Sequence, residues 1–345
     1  HLNQHLVEGL LSLVIATPKA CTTLTTNRID FVEFHPAYHA LMQKSIGWGI
    51  HAAAHDGSET PAPMTSRGMR LYLATQAESG HMCPVTMTHA CIGALRSEPE
   101  LLQKWLPKLQ TRTYDPRPLP WWEKNGVTLG MGMTERQGGT DVRANITEAR
   151  DADGHVEIFG HKWFMSAPMC DAFLTLAYAT SGLTCFLVPR WLPDGTRNSG
   201  FRVMRLKDKM GDRSNASSEI EYHGALAQRL GAEGRGVATI IQMVQHTRLD
   251  CVIGSAQQMR GALSTFKSVY SVFVSRVDVY TEKHVPALSA AAQGLVGIVL
   301  AKVVGDAVTK GETLAFVHAS SAAQAAVAVE QVQAAYRVGP ARIQR

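Results

Sequence analysis

Paired cysteines are missing from this sequence. Its six cysteines, at positions 21, 83, 91, 170, 185 and 251, are scattered, and none forms a CxxC pair. A disulfide framework or a structural zinc site needs closer, repeated spacing, so the expectation is reduced thiols in an intracellular, cytoplasmic protein. Long hydrophobic runs are missing too. The stretch from Leu6 to Ala16 is broken by Glu8 and Ser12 and is too short to span a bilayer. Lys19 follows that run instead of preceding it, which argues against a signal peptide. No membrane partner is expected. The chain also has no block of five like charges, no repeat and no low-complexity tract, which excludes a solenoid or a strongly charged interaction tail.

What is present is the balance of a folded protein: 345 residues, 45% hydrophobic and 18% charged, enough for two or three domains. The net charge of +5 permits anionic ligands such as nucleotides, coenzyme A or nucleic acid, without choosing among them. Residues 1–30 have no clear pattern and stay unassigned. From 31 to 125 the apolar spacing is helical, as in Tyr38, Leu41 and Met42, and ends in a linker from Thr113 to Trp122 with three prolines and two tryptophans. Residues 126–235 carry short β-forming runs (Val127–Met131, His155–Phe159, Phe173–Ala179, Thr184–Val188 and Ser218–Tyr222) and predict an antiparallel β domain. A helical period returns over 236–266 with Ile240, Ile241, Val244, Cys251 and Ile253. Residues 267–293 form an unassigned junction. In 294–339 the pattern predicts strand, turn, strand, turn, strand and then a helix from Ser321 to Arg337. The fold class is α+β.

Two segments carry the chemistry. In Gly132-Met133-Thr134-Glu135-Arg136-Gln137-Gly138-Gly139-Thr140-Asp141, two hydroxyls, a glycine pair and two carboxylates follow a strand. Glycines let backbone N–H groups approach a planar or anionic ligand, and the hydroxyls can bond its edge. A surface turn has the same composition, and the residues alone leave both readings open. The second segment is Lys162-Trp163-Phe164-Met165-Ser166. As a strand it puts Phe164 and Ser166 on one face, an aromatic and a hydroxyl suited to a flat heterocycle; an ordinary aromatic core strand is the plainer reading.

GMTERQGGTDVRA resembles, position by position, the first signature of the acyl-CoA dehydrogenases, in which this loop wraps the isoalloxazine of FAD. The resemblance implies that the Met131–Thr140 backbone, including Gly132 and Met133, lines a flavin, with Thr134 bonding the ring and Thr140 near the pyrophosphate in place of a family serine. In the second segment it assigns Phe164, Met165 and Ser166 to the positions that pack on the flavin and bond its N5, with Trp163 one place early and facing the other way. Together, FHPAYHALM, CPVTMT, LPDGTRN, RLKDKMGDRSNASSEIEY and LGAEGRG resemble the AidB-type, or adaptive-response, subgroup. The match runs over about 30–262.

The resemblance implies an oxidoreductase acting on the CH–CH group of an acyl thioester. It stops near Leu263, before the region that carries the usual glutamate base. An alternative base precedes an arginine equivalent to Arg248, and that place holds Thr247. No catalytic residue is therefore assigned, and weak FAD retention without turnover is expected. Arg248 is a candidate for an acyl-CoA phosphate or for a structural ion pair. DNA is a partner in relatives through a further C-terminal region that is not matched here, and the oligomeric state stays open. The tail VGIVLAKVVGDAVTKGETLAFVHA resembles the C-terminal domain of pyrimidine nucleoside phosphorylases, a small barrel-sandwich hybrid; Lys302 and Lys310 lack the hairpin context of a modified carrier lysine. The alternatives are a non-catalytic binding or assembly protein of fused modules and, remotely, a relative of the phosphorylases. His81, Cys83, His89 and Cys91 are read as buried packing residues, not as a metal site; His35 and His39 could form a metal pair, but Pro36 points to a helix start with one exposed histidine.

Overall fold

The computed structural model describes residues 19–21, 30–57, 62–139, 141–152, 155–273, 297–300, 315–318 and 322–335. They divide into two compact units, His1–Gly261 and Ala262–Arg345.

In the first unit, strands β1 (Lys19–Cys21) and β2 (Phe31–Glu33) pair antiparallel. Four helices follow: α1 (Pro36–Gly47), α2 (Pro63–Ala77), α3 (Met82–Leu95) and α4 (Pro99–Leu109). Three of them open on proline, whose fixed φ suits the first helical position and whose missing N–H has no intrahelical partner to lose. His35 caps α1, its Nδ1 accepting the Ala37 N–H at 3.2 Å. Helix α3 is apolar nearly all round because it serves two cores. Met82 and Val85 pack with Tyr38, Met42 and Leu71 of α1 and α2. Met87, Ile92 and Leu95 pack with the β domain.

The linker after α4 is irregular apart from a short turn at Trp121–Glu123, and it is pinned by stacking of Trp121 on Trp105 at 4.4 Å. The β domain then follows: β3 (Leu129–Gly132), β4 (Glu148–Ala152), β5 (His155–Ser166), β6 (Ala172–Ala179), β7 (Gly182–Pro189), β8 (Phe201–Leu206) and β9 (Ser217–Leu230). The pairings β4–β5, β5–β9, β9–β7, β7–β6 and β6–β4 close a ring of five strands. A closed ring leaves no free edge among those five. β3 extends β6, and β8 pairs β9 beyond the end of β7. The domain is antiparallel except for β3–β6 and β4–β6, which are parallel. Its interior is filled by Ile158, Phe173, Leu174, Phe186, Val188, Phe201 and Ile220.

Helix α5 (Gly236–Phe273) begins directly after the β domain. It is tied to α2 by a buried fork in which both Arg67 Nη atoms donate to the Asp250 carboxylate at 2.7 Å, while Arg67 Nε bonds the Ile50 carbonyl at 2.6 Å. No helix among the described residues is long and apolar enough to cross a membrane.

In the second unit β10 (Gly297–Leu300) pairs antiparallel with β11 (Ala315–His318), and helix α6 spans Ala322–Ala335. The third strand and the turns expected there, with Lys302 and Lys310, lie outside the described residues.

Candidate cofactor-binding site

The loop after β3 is bolted to β5 from several directions. The Trp163 N–H donates to the Thr134 carbonyl at 2.8 Å, and the Arg136 N–H donates to His161 Nε2 at 3.0 Å. At the centre lies Glu135, fully buried. Its carboxylate accepts from Lys162 Nζ at 2.7 Å, the Thr147 hydroxyl at 2.6 Å, the N–H groups of Ile146 at 2.7 Å and Thr147 at 3.2 Å, and Gln137 Nε2 at 2.8 Å. Burial by itself would raise the Glu135 pKa, but the charge of Lys162 and these donors overcome it and hold the carboxyl below its usual range. Lys162, equally buried, is pulled below the usual lysine value by desolvation, against the pull of Glu135. It also donates to the Leu176 carbonyl at 2.9 Å. Asn145 Nδ2 holds the Met133 carbonyl at 3.1 Å.

The glycines sit where a side chain would collide. A Cβ on Gly132 would stand 2.2 Å from Met165 Cε, and one on Gly139 would stand 2.8 Å from Thr134 Oγ1. Met165 is fully buried under Gly132, whereas Phe164 is 48% exposed and Ser166 half-buried. Strand alternation separates them as expected: Phe164 and Ser166 share the open side, and Met165 supports the loop from beneath. Thr134 is half-buried, and its carbonyl meets the strand three residues before Ser166, roughly 10 Å along it. The loop and the strand thus lie side by side. Thr140 lies outside the described residues.

Trp163 departs from expectation. The register slips between Lys162 and Met165, a bulge that puts two residues of β5 opposite one of β9. Both rings therefore approach one cation: Lys207 Nζ stands 3.4 Å from the Trp163 centroid and 4.6 Å from that of Phe164. Arg136 covers Trp163 at 5.0 Å, and Arg205 and Lys207 both donate to Glu219.

Ser166 faces side chains that sequence reasoning missed. Asn215 Nδ2 donates to Ser166 Oγ at 3.3 Å, and Ser217 Oγ lies 3.5 Å from it. Lys209 Nζ donates to Ser217 Oγ at 3.0 Å and to the Asn215 carbonyl at 2.8 Å. Burial raises the pKa of the nearby Cys83 thiol, against the pull of Ser166, Lys209 and Asn215, so that it stays protonated. The segment 207–217 is held to the start of α3 through Glu78, which accepts from Ser214 Oγ at 2.6 Å and from the Gly80 and His81 N–H groups. Burial would raise Glu78, but bonds from His81 and Ser214 hold it at about 2. Sequence gave one usable signal here: Lys209, Asn215 and Ser217 all fall in RLKDKMGDRSNASSEIEY.

The remaining candidates separate. Arg248 is exposed on α5. His81 bonds Glu78 and Ser45, His89 faces His55 at 3.1 Å, and Cys91 is buried against Met243. His39 bonds Tyr114 at 2.9 Å. Among the described residues no group of three His, Cys, Asp or Glu could hold a metal ion. A small hollow lined by Ile46, His51, Thr111, Tyr114, Asp115 and Thr128 contains none of the loop or β5 residues.

A face with a hydroxyl and an exposed phenyl ring suits a flat ligand with a polar edge. Residues 22–116 match the adaptive response protein AidB N-terminal domain, residues 130–225 the acyl-CoA dehydrogenase middle domain, and residues 291–339 the pyrimidine nucleoside phosphorylase C-terminal domain. The putative acyl-CoA dehydrogenase AidB of Escherichia coli is 46% identical over 239 residues, 69% of this chain and 44% of that protein. The structure of Caenorhabditis elegans ACDH-11 in complex with C11-CoA superposes with a TM-score of 0.65 at 26% identity, covering 74% of this chain and 44% of that one. A glutaryl-CoA dehydrogenase from Mycobacterium smegmatis in complex with FADH2 shares the fold, with a TM-score of 0.55 at 19% identity over 77% of this chain and 65% of that one. The chain thus spans less than half the length of AidB and of ACDH-11. Through residues 22–116 and 130–225 the chain matches the N-terminal and middle domains of the AidB-type acyl-CoA dehydrogenase family, followed by a segment similar to the C-terminal domain of pyrimidine nucleoside phosphorylases.

Proposed function

We propose that this chain is an acyl-CoA dehydrogenase-like flavoprotein that binds FAD on the loop after β3 and the open face of β5. The observation that carries the reading is the Glu135–Lys162 lock, which sets the Thr134 loop beside Phe164 and Ser166. Thr134 holds the polar edge of the ring, Phe164 packs on its face, and Ser166 offers its hydroxyl to a ring nitrogen. Met131, Gly132 and Met133 line the floor, with Met165 beneath them, and Thr140 is assigned to the diphosphate. Bound there, the flavin supplies hydride acceptance from the β-carbon of an acyl thioester. The C11-CoA bound to ACDH-11 supports an acyl-CoA-like partner, and Arg248, exposed on α5, is the residue we assign to its phosphates.

Removal of the α-proton needs a base. Thr247 occupies the position before Arg248 and has no carboxylate, and Glu135 is locked in its buried pair. We therefore propose that residues 1–345 bind flavin without dehydrogenating acyl-CoA by themselves. The test is reconstitution of the full chain with FAD, followed by absorbance and titration with acyl-CoA. A bound flavin spectrum, lost in Thr134→Val with Ser166→Ala and not bleached by acyl-CoA, is the expected result. A chain that takes up no flavin refutes the binding reading; bleaching refutes the inactivity.

A further inference from the structure

The hydrogen-bond polarity around Ser166 is set from outside the loop and β5. A protonated lysine has only donors, so Ser217 Oγ accepts from Lys209 Nζ at 3.0 Å. The hydroxyl proton of Ser217 is then available to Ser166 Oγ, its neighbour at 3.5 Å. The amide nitrogen of Asn215 donates to the same oxygen at 3.3 Å. Two donors converge on Ser166 Oγ and use its lone pairs, which leaves its own proton directed away from them. Cys83, a protonated thiol, is a weak acceptor for that proton. A ring nitrogen is a stronger one.

The lysine is held for this role. It is half-buried, its ammonium also bonds the Asn215 carbonyl, and its own carbonyl accepts from Arg213 Nη1 at 3.0 Å. The turn that carries it is tightened by Asp212, in the left-handed region at φ 47°, whose carboxylate accepts from the Ser79 hydroxyl and whose carbonyl accepts from the Asn215 N–H. Asp212, Glu78 and Cys83 are the titratable groups that face the ammonium.

We propose that Lys209 is a positioning residue for the cofactor: acting through Ser217 and Asn215, it fixes Ser166 as a hydrogen-bond donor to N5 of the bound flavin. This rests on the flavin reading above and adds to it the residue that decides which way the hydroxyl points.

The test compares binding of FAD with binding of 5-deaza-FAD, in which a C–H replaces N5 and cannot accept. Fluorescence titration of the full chain should give FAD a preference of about tenfold over the deaza analogue, the worth of one such bond. That preference should fall to near one in Ser166→Ala, and equally in Lys209→Met and in Ser217→Ala, while Lys209→Arg retains it. Circular dichroism checks the fold of each variant. If Lys209→Met does not fold, Ser217→Ala decides alone, because it removes only the intermediary hydroxyl. A wild type that binds both cofactors equally overturns the proposal and leaves the flavin reading standing. Retention of the preference in Ser217→Ala and in a folded Lys209→Met also overturns it. A wild type that binds neither cofactor overturns both.

Discussion

Replacing Lys162 by methionine tests the lock on which the site depends. The side chains of Lys162 and Glu135 are both 0% exposed, so neither charge can turn to water when the other is removed. Methionine fills most of the lysine stem. It deletes the 2.7 Å bond to Glu135 and the 2.9 Å bond to the Leu176 carbonyl. Stranding one member of a buried pair costs about 3–5 kcal/mol. The four donors left on Glu135, from Ile146, Gln137 and Thr147, soften that cost, while the orphaned Leu176 carbonyl adds roughly 1–3 kcal/mol. The expected net loss is about 3–5 kcal/mol, confined to the β domain.

Hydrogen exchange with mass spectrometry suits a multi-domain chain for which one global unfolding energy is ill-defined. At about 1.4 kcal/mol per tenfold, protection of the β5 amides should fall by a factor of about 10² or more, while that of α1 and α2 holds. Adding Glu135→Gln to Lys162→Met removes the stranded charge and should restore part of the protection. If Lys162→Met lowers β5 protection less than about tenfold, or if the double variant is worse than the sum of its parts, the ion pair does not organise the loop.

Three further outcomes are expected. Gly139→Ala drives a methyl to within 2.8 Å of Thr134 Oγ1 and 2.9 Å of its Cγ2; Thr134 must rotate, so flavin affinity should drop severalfold with little change in thermal stability, measured by fluorescence titration and calorimetry. Arg67→Met strands Asp250 in the buried fork between α2 and α5 and should cost about 3–5 kcal/mol, seen as early loss of helical ellipticity in urea. Acidification should destabilise the helical part, because burial lowers His51 and His55 to about 4 and His89 to about 2. Between pH 6.5 and 4 the unfolded chain binds protons that the native state refuses, so stability falls with pH by up to roughly 1.4 kcal/mol per unit for each of the buried pair His51 and His89; His89→Asn should flatten that limb in pH-dependent urea melts.

How much of this was legible in the sequence depended on whether a residue's role is local. Helix spacing found Tyr38, Leu41 and Met42, which are buried on α1, and β-forming runs found β3, β5, β6, β7 and β9. Two strands of the β domain went unread. The segment EARDA of β4 has three charged residues and no β-former and is largely exposed, and it is a strand because it completes the ring between β5 and β6. β8 is short, with only Phe201 and Val203 turned inward. In both cases pairing partners distant in sequence override weak local preference.

The same division runs through the site. Alternation along a strand was enough to put Phe164 and Ser166 on the open side and Met165 below. It was not enough for Trp163, because a bulge between Lys162 and Met165 breaks the period of two that the reading assumes. Glu135 and Lys162 stood inside both quoted motifs, yet nothing local marks a charge as buried. A charged residue signals burial only through a partner of opposite sign, here 27 positions away in the chain. Lys209 and Asn215 were further removed, reaching Ser166 through a turn anchored on the connection between α2 and α3 by Glu78 and Ser79. The motif therefore names the groups we assign to the ligand, whereas the side chains that hydrogen-bond them, such as Asn215 and Ser217, have a relation to the motif that exists only after folding.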